Sequence, residues 1–269
     1  MGTEDKGNNS AFRPQSLVEA KRTMVKSGYD IIDIVLSKIN SVEDLEQNLF
    51  YEIKVSDYAD LLGLKHSKNA YRKMAQACET MQGKGFELYR DRVGKKKKFY
   101  VWFPSIDYDE ERQSVILELH KDTKAMLVDA KRNKESITYY TLRYVLPMKS
   151  QYSKRIYYMC KEWTSTGKRF DLIDDLRLKL DIPKSYRYGM IKKSVFDKAV
   201  EEINTLSDIT ISYSETFEKG RGGAKVAGIT WTIKEKKNVS KRSTIPTKNR
   251  FNKFEQNDYD FAEIEKLAL

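Results

Sequence analysis

Histidine and cysteine are scarce in this chain, which contains two of each. His66 and His120 lie far apart in sequence, so there is no H-x-H pair to form the metal site of a strand-nicking endonuclease. Cys78 and Cys160 each fall within a predicted helix, and two buried thiols are a simpler interpretation than a disulfide or a metal pair. This use of cysteine favours a cytosolic protein over a secreted one.

Long apolar runs and nucleotide-binding signatures are also missing. No stretch approaches the roughly 18 apolar residues of a membrane span, and residues 1–10 lack the apolar core of a secretory signal. Neither residues 165–169 nor the glycine-rich residues 219–225 fit the spacing of a phosphate-binding loop. Residues 107–111 are acidic and are predicted to form a loop rather than a metal site. We therefore expect no enzymatic activity, no cofactor and no membrane partner.

The formal net charge of +11 is distributed unevenly. Residues 1–130 contain 21 basic and 21 acidic side chains, whereas residues 131–236 contain 22 and 13, for a net charge of +9. Residues 237–269 contain 7 and 5, for a net charge of +2. The basic central part has two interpretations: a merely soluble surface, or a surface that binds a polyanion such as DNA.

One structural plan occurs twice. In the first half, a short helix over 56–64 and a second helix over 69–81 precede a hairpin that ends at 99–103. In the second half, a helix over 174–180 and a helix over 188–206 precede a hairpin that ends at 229–233. The apolar side chains recur at helical spacing in the helices and alternate in the strands. A helix-turn-helix followed by a hairpin is a winged helix, which places one helix in a DNA groove.

The sequence thus predicts an α+β fold with two tandem winged-helix domains and a flexible C-terminal tail. We expect a disordered N-terminus over 1–15, a first domain over 16–133 and a second domain over 134–236. Residues 237–269 are predicted to be a polar linker followed by an acidic and aromatic tail.

The charges along both second helices run against the helix dipole. Helix 188–206 has basic residues in its first turns and acidic residues in its last turns. The helix over 69–81 shows the same order. The dipole prefers the reverse order by about 0.3–1 kcal/mol per charge. A solvated charged face is one explanation. The other is DNA, because recognition helices insert their N-terminal residues into the major groove.

The candidate DNA contacts lie at the starts of these helices and at the two hairpin tips. Tip contacts would supply salt-sensitive affinity without sequence information, although a basic tip could also be a solubilising turn. The first-domain candidates are Lys68, Asn69, Arg72, Lys73, Lys96 and Lys97. The second-domain candidates are Lys184, Ser185, Arg187, Tyr188, Lys192, Lys193, Arg221 and Lys225.

Several of these segments resemble one known family. Residues 146–157, LPMKSQYSKRIY, resemble the start of the second domain in plasmid replication initiators of the iteron-binding RepA/RepB type. Further matches follow in order, at Gly167-Lys168-Arg169, Asp175-Leu176-Arg177-x-x-Leu180, Tyr186, residues 196–204, Asp208-Ile209 and residues 229–233. In the first domain, residues 69–72 resemble the family's S-x-Y-R helix, with Asn69 in place of the small hydroxyl residue. The resemblance covers roughly residues 17–235 and is stronger in the second domain.

The resemblance implies a function in plasmid DNA replication. Family members bind directly repeated origin sequences, the iterons, in double-stranded DNA and recruit the host initiator and helicase. Their monomers drive initiation, whereas dimers commonly pair through the first domain, bind an inverted repeat and repress their own gene. By this resemblance the first domain would contribute dimerisation and contacts to the DNA backbone or a half-site. The second domain, which carries most of the charge, would supply the main sequence-specific binding.

Other functions stay open from the sequence alone. A transcriptional regulator with two winged helices and no replication role would show the same two units. A nicking endonuclease is disfavoured by the missing histidine pair. The segment 257–269 could be a peptide that docks on a host replication protein, since it combines aromatic and acidic side chains behind a linker. It could equally be a frayed tail.

Overall fold

Helices and short antiparallel strands alternate along the chain. The computed structural model describes residues 9–22, 24–39, 41–64, 68–89, 97–133, 135–220 and 223–236. The strands are β1 (Ser10–Pro14), β2 (Phe50–Lys54), β3 (Gly85–Tyr89), β4 (Lys97–Val101), β5 (Ile106–Asp109), β6 (Ser114–Glu118), β7 (Ile137–Thr141), β8 (Lys168–Leu172), β9 (Ile209–Gly220) and β10 (Gly223–Glu235). The helices are α1 (Gln15–Glu19), α2 (Lys26–Lys38), α3 (Val42–Gln47), α4 (Val55–Leu62), α5 (Lys68–Glu79), α6 (Lys121–Arg132), α7 (Leu142–Val145), α8 (Gln151–Lys161), α9 (Ile173–Lys179), α10 (Tyr188–Ile191) and α11 (Lys198–Leu206), with a π-helical segment, Lys192–Asp197, between the last two.

The first predicted helix-turn-helix unit is present as α4 and α5, followed by the hairpin β3–β4. Helix α4 ends at Gly63, whose φ of 63° lies in the left-handed region that favours glycine. The amide of Leu64 then donates to the carbonyl of Ala59 at 2.8 Å, which closes the helix end. Helix α5 packs on both α4 and α2. These contacts fix the helix that carries the first-domain candidates.

The second predicted unit is also present. Its sheet has the order β8-β10-β9, and α9 leads through a turn into α10, the π-helical segment and α11. These last three pieces are continuous and are called helix 188–206 below. The turn includes Pro183 and Asp181, which has a φ of 52°. The long hairpin β9–β10 has one irregularity in its register, between Val226 and Gly228.

Two expectations about the first half are wrong. Residues 10–14 are not disordered: they form β1, which pairs with β7 and buries Phe12 in the core. Residues 106–109 form strand β5 beside β6, so only 110–113 of the acidic segment is a turn. Helix α2 begins at Lys26, so Gly28 lies in its first turn. An added Cβ at Gly28 would lie 2.7 Å from the Cγ of Met24, so a larger residue there would force the methionine side chain to shift.

The core runs without interruption from the first unit into the second. Strand β1 pairs with β7 across the boundary predicted at 133/134, and α8 contacts both α1 and α11. Cys78 and Cys160 are both buried free thiols, as expected. The predicted tail and linker over 237–269 lie outside the described residues.

Candidate nucleic-acid interface

Helix 188–206 has one buried face and one exposed face. The buried side chains are Ile191, Val195, Phe196, Ala199 and Ile203, each with no exposure to solvent. Their spacing follows one side of a helix. Phe196 packs edge-on against Trp231 of β10, with ring centroids 5.6 Å apart. Because this face is fixed on the hairpin, the opposite face presents Lys192 and Lys193 to solvent.

The turn before this helix is held by two hydrogen bonds to backbone carbonyl oxygens. The guanidinium of Arg177 donates to the carbonyl of Tyr186 at 2.8 Å, and the amide of Ile182 donates to the carbonyl of Arg177 at 2.9 Å. This arrangement leaves Lys184 and Ser185 exposed in the turn. Arg187 caps the helix and is also exposed. The structure therefore brings six of the eight predicted second-domain residues, all except Arg221 and Lys225, into one turn and the first turns of the following helix.

A π-helical segment interrupts helix 188–206 where its basic residues lie. It spans Lys192–Asp197 and contains both exposed lysines. Single π turns inside α-helices are rare and frequently occur at functional sites. Here the wider turn changes the direction in which Lys192 and Lys193 leave the helix, relative to a regular α-helix. Nothing in the sequence pattern indicated this segment.

Lys192 is paired within the protein. Its Nζ lies 2.8 Å from Oε1 of Glu215 on β9, and the lysine side chain is 48% exposed. This hydrogen bond raises the pKa of Lys192 and lowers the pKa of Glu215. Tyr188 lies beside the same carboxylate, and burial followed by the charge of Glu215 raises its pKa. The helix is thus fastened to the hairpin at the position where we expected a groove-facing cation.

Carboxylates line the groove between helix 188–206 and β9. The groove has a volume of about 650 Å³, and its lining includes Asp197, Glu201 and Glu215. The hydroxyl of Tyr213 donates to Oδ1 of Asp197 at 2.6 Å. Carboxylates repel phosphate but can accept a hydrogen bond from the cytosine amino group. The exposed cations Arg187 and Lys193 therefore lie at the start of the helix, whereas the groove lining is mainly acidic.

The hairpin β9–β10 extends well beyond the helix. Lys225 is exposed on β10 and lies opposite Glu218 of β9 in the strand register. Phe217 is 57% exposed near the same end. Arg221 lies outside the described residues. The described part of the hairpin thus carries mixed charge and one exposed aromatic ring.

The first unit repeats the arrangement in a simpler form. Asn69, Arg72 and Lys73 lie on the exposed face of α5, while Met74 and Cys78 are buried on the other face. Lys68 is the first residue of α5. The structure therefore places the predicted residues of this helix on one surface.

The basic hairpin of the first unit is partly paired within the protein. Nζ of Lys97 lies 3.0 Å from Oε1 of Glu87 across β3–β4, and Nζ of Lys98 lies 2.6 Å from Oδ2 of Asp122. Lys96 lies outside the described residues. The part of the hairpin that the structure describes is therefore less cationic than its sequence suggests.

Met190 is a candidate contact that the sequence analysis missed. It lies in the first turn of helix 188–206, is 51% exposed, and follows the exposed Arg187 by three positions. The sequence spacing could have identified this residue, because Met190 lies outside the apolar stripe that begins at Ile191. An exposed apolar side chain at this place suits contact with a thymine methyl group.

The described residues show no group of three metal-ligating side chains. Within the same ranges, no helix combines the length and the apolar character needed to cross a membrane.

Comparisons with known proteins agree with this arrangement. The family model described as initiator replication protein, WH1, matches residues 12–161, and the model described as initiator Rep protein, WH2, matches residues 172–233. No curated protein sequence matches the chain.

The Pi initiator protein shares the fold of this chain. The chain is similar to the Pi initiator protein in complex with iteron DNA, with a TM-score of 0.70 and 18% identity over 86% of this chain and 99% of that one. It also matches domains 2 and 3 of RctB, with a TM-score of 0.42 and 11% identity over 86% of this chain and 89% of that one. Because the WH1 model alone matches more than half of the sequence, the chain belongs to the family of replication initiator proteins that contain the winged-helix domains WH1 and WH2.

Proposed function

We propose that this chain initiates plasmid DNA replication by binding iterons in double-stranded DNA through its two winged helices. The observation that carries the proposal is the exposed, basic start of helix 188–206 beside the hairpin β9–β10, in a chain of the initiator family. Its fold is similar to that of the Pi initiator, which was crystallised with iteron DNA. The second unit exposes basic side chains at the helix end that, in a recognition helix, enters the major groove.

The individual contacts follow from exposure and from the partners of each cation. Arg187 and Lys193 are exposed, and no carboxylate among the described residues lies within 4.0 Å of either. We therefore assign them the main contacts in the second domain, with Lys184, Ser185 and Tyr188 beside them. In the first domain we assign Asn69, Arg72 and Lys73 to the groove. The remaining predicted contacts are Lys68, Lys96, Lys97, Lys192, Arg221 and Lys225.

In this proposal the two domains have different roles. The first domain, predicted over 16–133, pairs two chains in a dimer and contacts the DNA backbone or a half-site. The second domain, predicted over 134–236, reads the sequence. Its larger positive charge supports a larger share of the DNA affinity for the second domain, because phosphate neutralisation dominates that affinity. A monomer–dimer equilibrium would then separate initiation at iterons from repression at an operator inverted repeat.

The further partners are the host initiator and helicase, in the bacterial cytoplasm. The initiator itself is proposed to be non-enzymatic and to act by binding and recruitment. The C-terminal segment 257–269 is a candidate docking peptide for one of the host proteins. Deletion of residues 250–269 should then abolish plasmid replication but leave iteron binding intact.

Footprinting on the DNA that flanks the gene, at several salt concentrations, tests the proposal. Protection of evenly spaced direct repeats, about two helical turns apart, is the expected result. Protection of a single inverted repeat at the promoter would instead favour a transcriptional regulator. Uniform coating that disappears with salt would show binding without specificity and would contradict the initiator function.

A further inference from the structure

Within the part of the chain that the structure describes, two buried arginines lack a carboxylate partner. Among the described residues, the buried arginines are Arg13, Arg22, Arg155 and Arg169. Arg13 lies 2.6 Å from Asp33, and Arg169 lies 2.7 Å from Asp171. By contrast, no described carboxylate lies within 4.0 Å of the guanidinium groups of Arg22 and Arg155. A buried charge without a partner is costly, so this pair needs an explanation.

The nitrogens of these two side chains are also poorly satisfied. All three guanidinium nitrogens of Arg22 are buried, and none has a hydrogen-bond partner among the residues that the structure describes. Arg155 donates from Nη2 to the carbonyls of Ala20 at 2.8 Å and Lys179 at 3.2 Å, but no described residue accepts from its Nε or Nη1. The only nearby π contact recorded for Arg22 in the described ranges is the ring of Tyr29, at 5.5 Å. Buried donors are normally paired.

Both arginines line the same cavity. It has a volume of about 250 Å³ and lies where the segment between α1 and α2 meets α8 and the turn after α9. Lys84 adds a third cation to the lining, Asp181 adds one carboxylate, and Gln151 adds an amide. Three cations and one carboxylate leave a formal charge of +2. Drug-sized ligands usually occupy roughly 300–1,000 Å³, so this cavity suits a small ion better than a nucleotide.

We propose that this cavity is a binding site for a small oxyanion of the phosphate class, held by Arg22 and Arg155. Guanidinium groups present several donors in a fixed plane that matches phosphate and carboxylate oxygens. A bound oxyanion would satisfy the free donors and neutralise the buried charge. Lys84 lies at the exposed side of the cavity and adds attraction for the entering ion.

The charge state of Arg22 is compatible with this role. Burial, together with the charge of Arg13, lowers the pKa of Arg22 to about 10. The side chain therefore stays protonated at neutral pH and keeps all its donors.

The position of the cavity links it to both DNA-binding units. Thr80 and Lys84 follow α5, which carries the first-domain contacts, and Leu180 and Asp181 lie in the turn before helix 188–206. An ion bound to Arg22 and Arg155 therefore joins segments that position the two recognition helices. Its occupancy should stabilise their relative placement.

Calorimetric titration of the full chain with inorganic phosphate, in chloride buffer at constant ionic strength, tests the site. We expect one phosphate per chain and a higher melting temperature as phosphate is added. Arg22→Gln should weaken phosphate binding by at least about tenfold, and Lys84→Gln by a smaller factor. Arg132→Gln is the matched control, because Arg132 is 61% exposed and pairs with Glu46. A parallel titration with acetate distinguishes a phosphate site from a site for a carboxylate group.

Three outcomes would overturn the proposal. Phosphate could fail to bind, it could bind equally well to wild type, Arg22→Gln and Lys84→Gln, or it could be lost in Arg187→Ala, which would place it on the DNA-binding face. Lys84→Gln keeps the test valid if Arg22→Gln does not fold, because Lys84 is exposed. The titration contains no DNA, so its failure leaves the proposed iteron binding untouched.

Discussion

Nζ of Lys154 lies 2.9 Å from Oδ2 of Asp33, and both side chains are fully excluded from solvent. Lys154 belongs to α8 and Asp33 to α2, so this ion pair joins residues 121 positions apart. Asp33 also accepts from Arg13 at 2.6 Å and from the hydroxyls of Tyr140 and Tyr158 at 2.7 Å. Burial opposes ionisation of Asp33, but the charges of Lys154 and Arg13 outweigh it and hold its pKa well below the usual range. The cluster fixes α8 on the first unit.

Asp33→Asn should destabilise the protein severely. The substitution leaves Arg13 without its carboxylate and weakens the pairing of Lys154, and breaking a buried ion pair costs about 3–5 kcal/mol. Asp109→Asn is the matched control: Asp109 pairs with Arg112 at the surface, so its loss should cost less than about 1 kcal/mol. Urea unfolding of both variants measures the difference. Equal losses in the two variants would contradict a central role for the cluster.

Glu162 should make stability depend on pH in the neutral range. Its side chain is 5% exposed, and burial followed by the charge of Glu19 raises its pKa from 4.5 to about 7. Between pH 4.5 and about 7, the folded state therefore keeps a proton on Glu162 that the unfolded state has already released. The contribution of Glu162 to the free energy of unfolding is fully present below about pH 4.5 and is lost as the pH rises to about 7.

Glu162→Gln tests this dependence, since glutamine remains neutral at every pH. The free energy of unfolding of wild type, relative to the variant, should decline between pH 4.5 and 7 and then level off. Glu235→Gln serves as the control, because Glu235 is 65% exposed. A wild-type curve parallel to that of Glu162→Gln over this range would rule out the assignment.

Local patterns were sufficient to predict the recognition helices, whereas long-range contacts were not. The spacing of Ile191, Val195 and Ala199 is set by the helix itself, so the sequence alone identifies the buried face and the exposed bases. Pairing between Lys192 and Glu215 depends on how β9 packs on the helix, and the positions are 23 residues apart. Strand β1 was missed because its five residues are flanked by a polar segment and gain their burial only by pairing with β7.

The cavity lined by Arg22 and Arg155 also depends on long-range contacts, so the sequence did not predict it. Arg22 and Arg155 are separated in sequence, and composition predicts that arginines lie at the surface. Only the packing of α8 against the segment after α1 buries both. The π-helical segment is likewise a tertiary feature, because the apolar residues of helix 188–206 would also fit a regular helix.

Glu215→Gln should strengthen DNA binding and increase its dependence on salt. The substitution removes the charge that holds Lys192, whose Nζ is 2.8 Å from Glu215. A released lysine that contacts a phosphate steepens the slope of log K against log salt by about 0.9. Binding measured at four salt concentrations gives this slope. Glu235→Gln, at the C-terminal end of β10, is the control and should leave the slope unchanged. An unchanged slope in Glu215→Gln would show that Lys192 stays away from phosphate.

Lys193→Ala and Arg187→Ala should separate base contacts from phosphate contacts in the second domain. Both side chains are exposed at the start of helix 188–206. If Lys193 touches a base, its loss costs about 1–3 kcal/mol and relaxes specificity at one position, whereas loss of a phosphate contact weakens binding to all sequences alike. Lys234→Ala is the matched control, because Lys234 is exposed near the base of β10, nine residues from Lys225 and about 30 Å along the strand. Titration against iteron and scrambled DNA distinguishes the two kinds of contact. If Lys193→Ala and Lys234→Ala bind both DNAs with wild-type affinity at every salt concentration, Lys193 lies outside the DNA interface and helix 188–206 must be oriented differently.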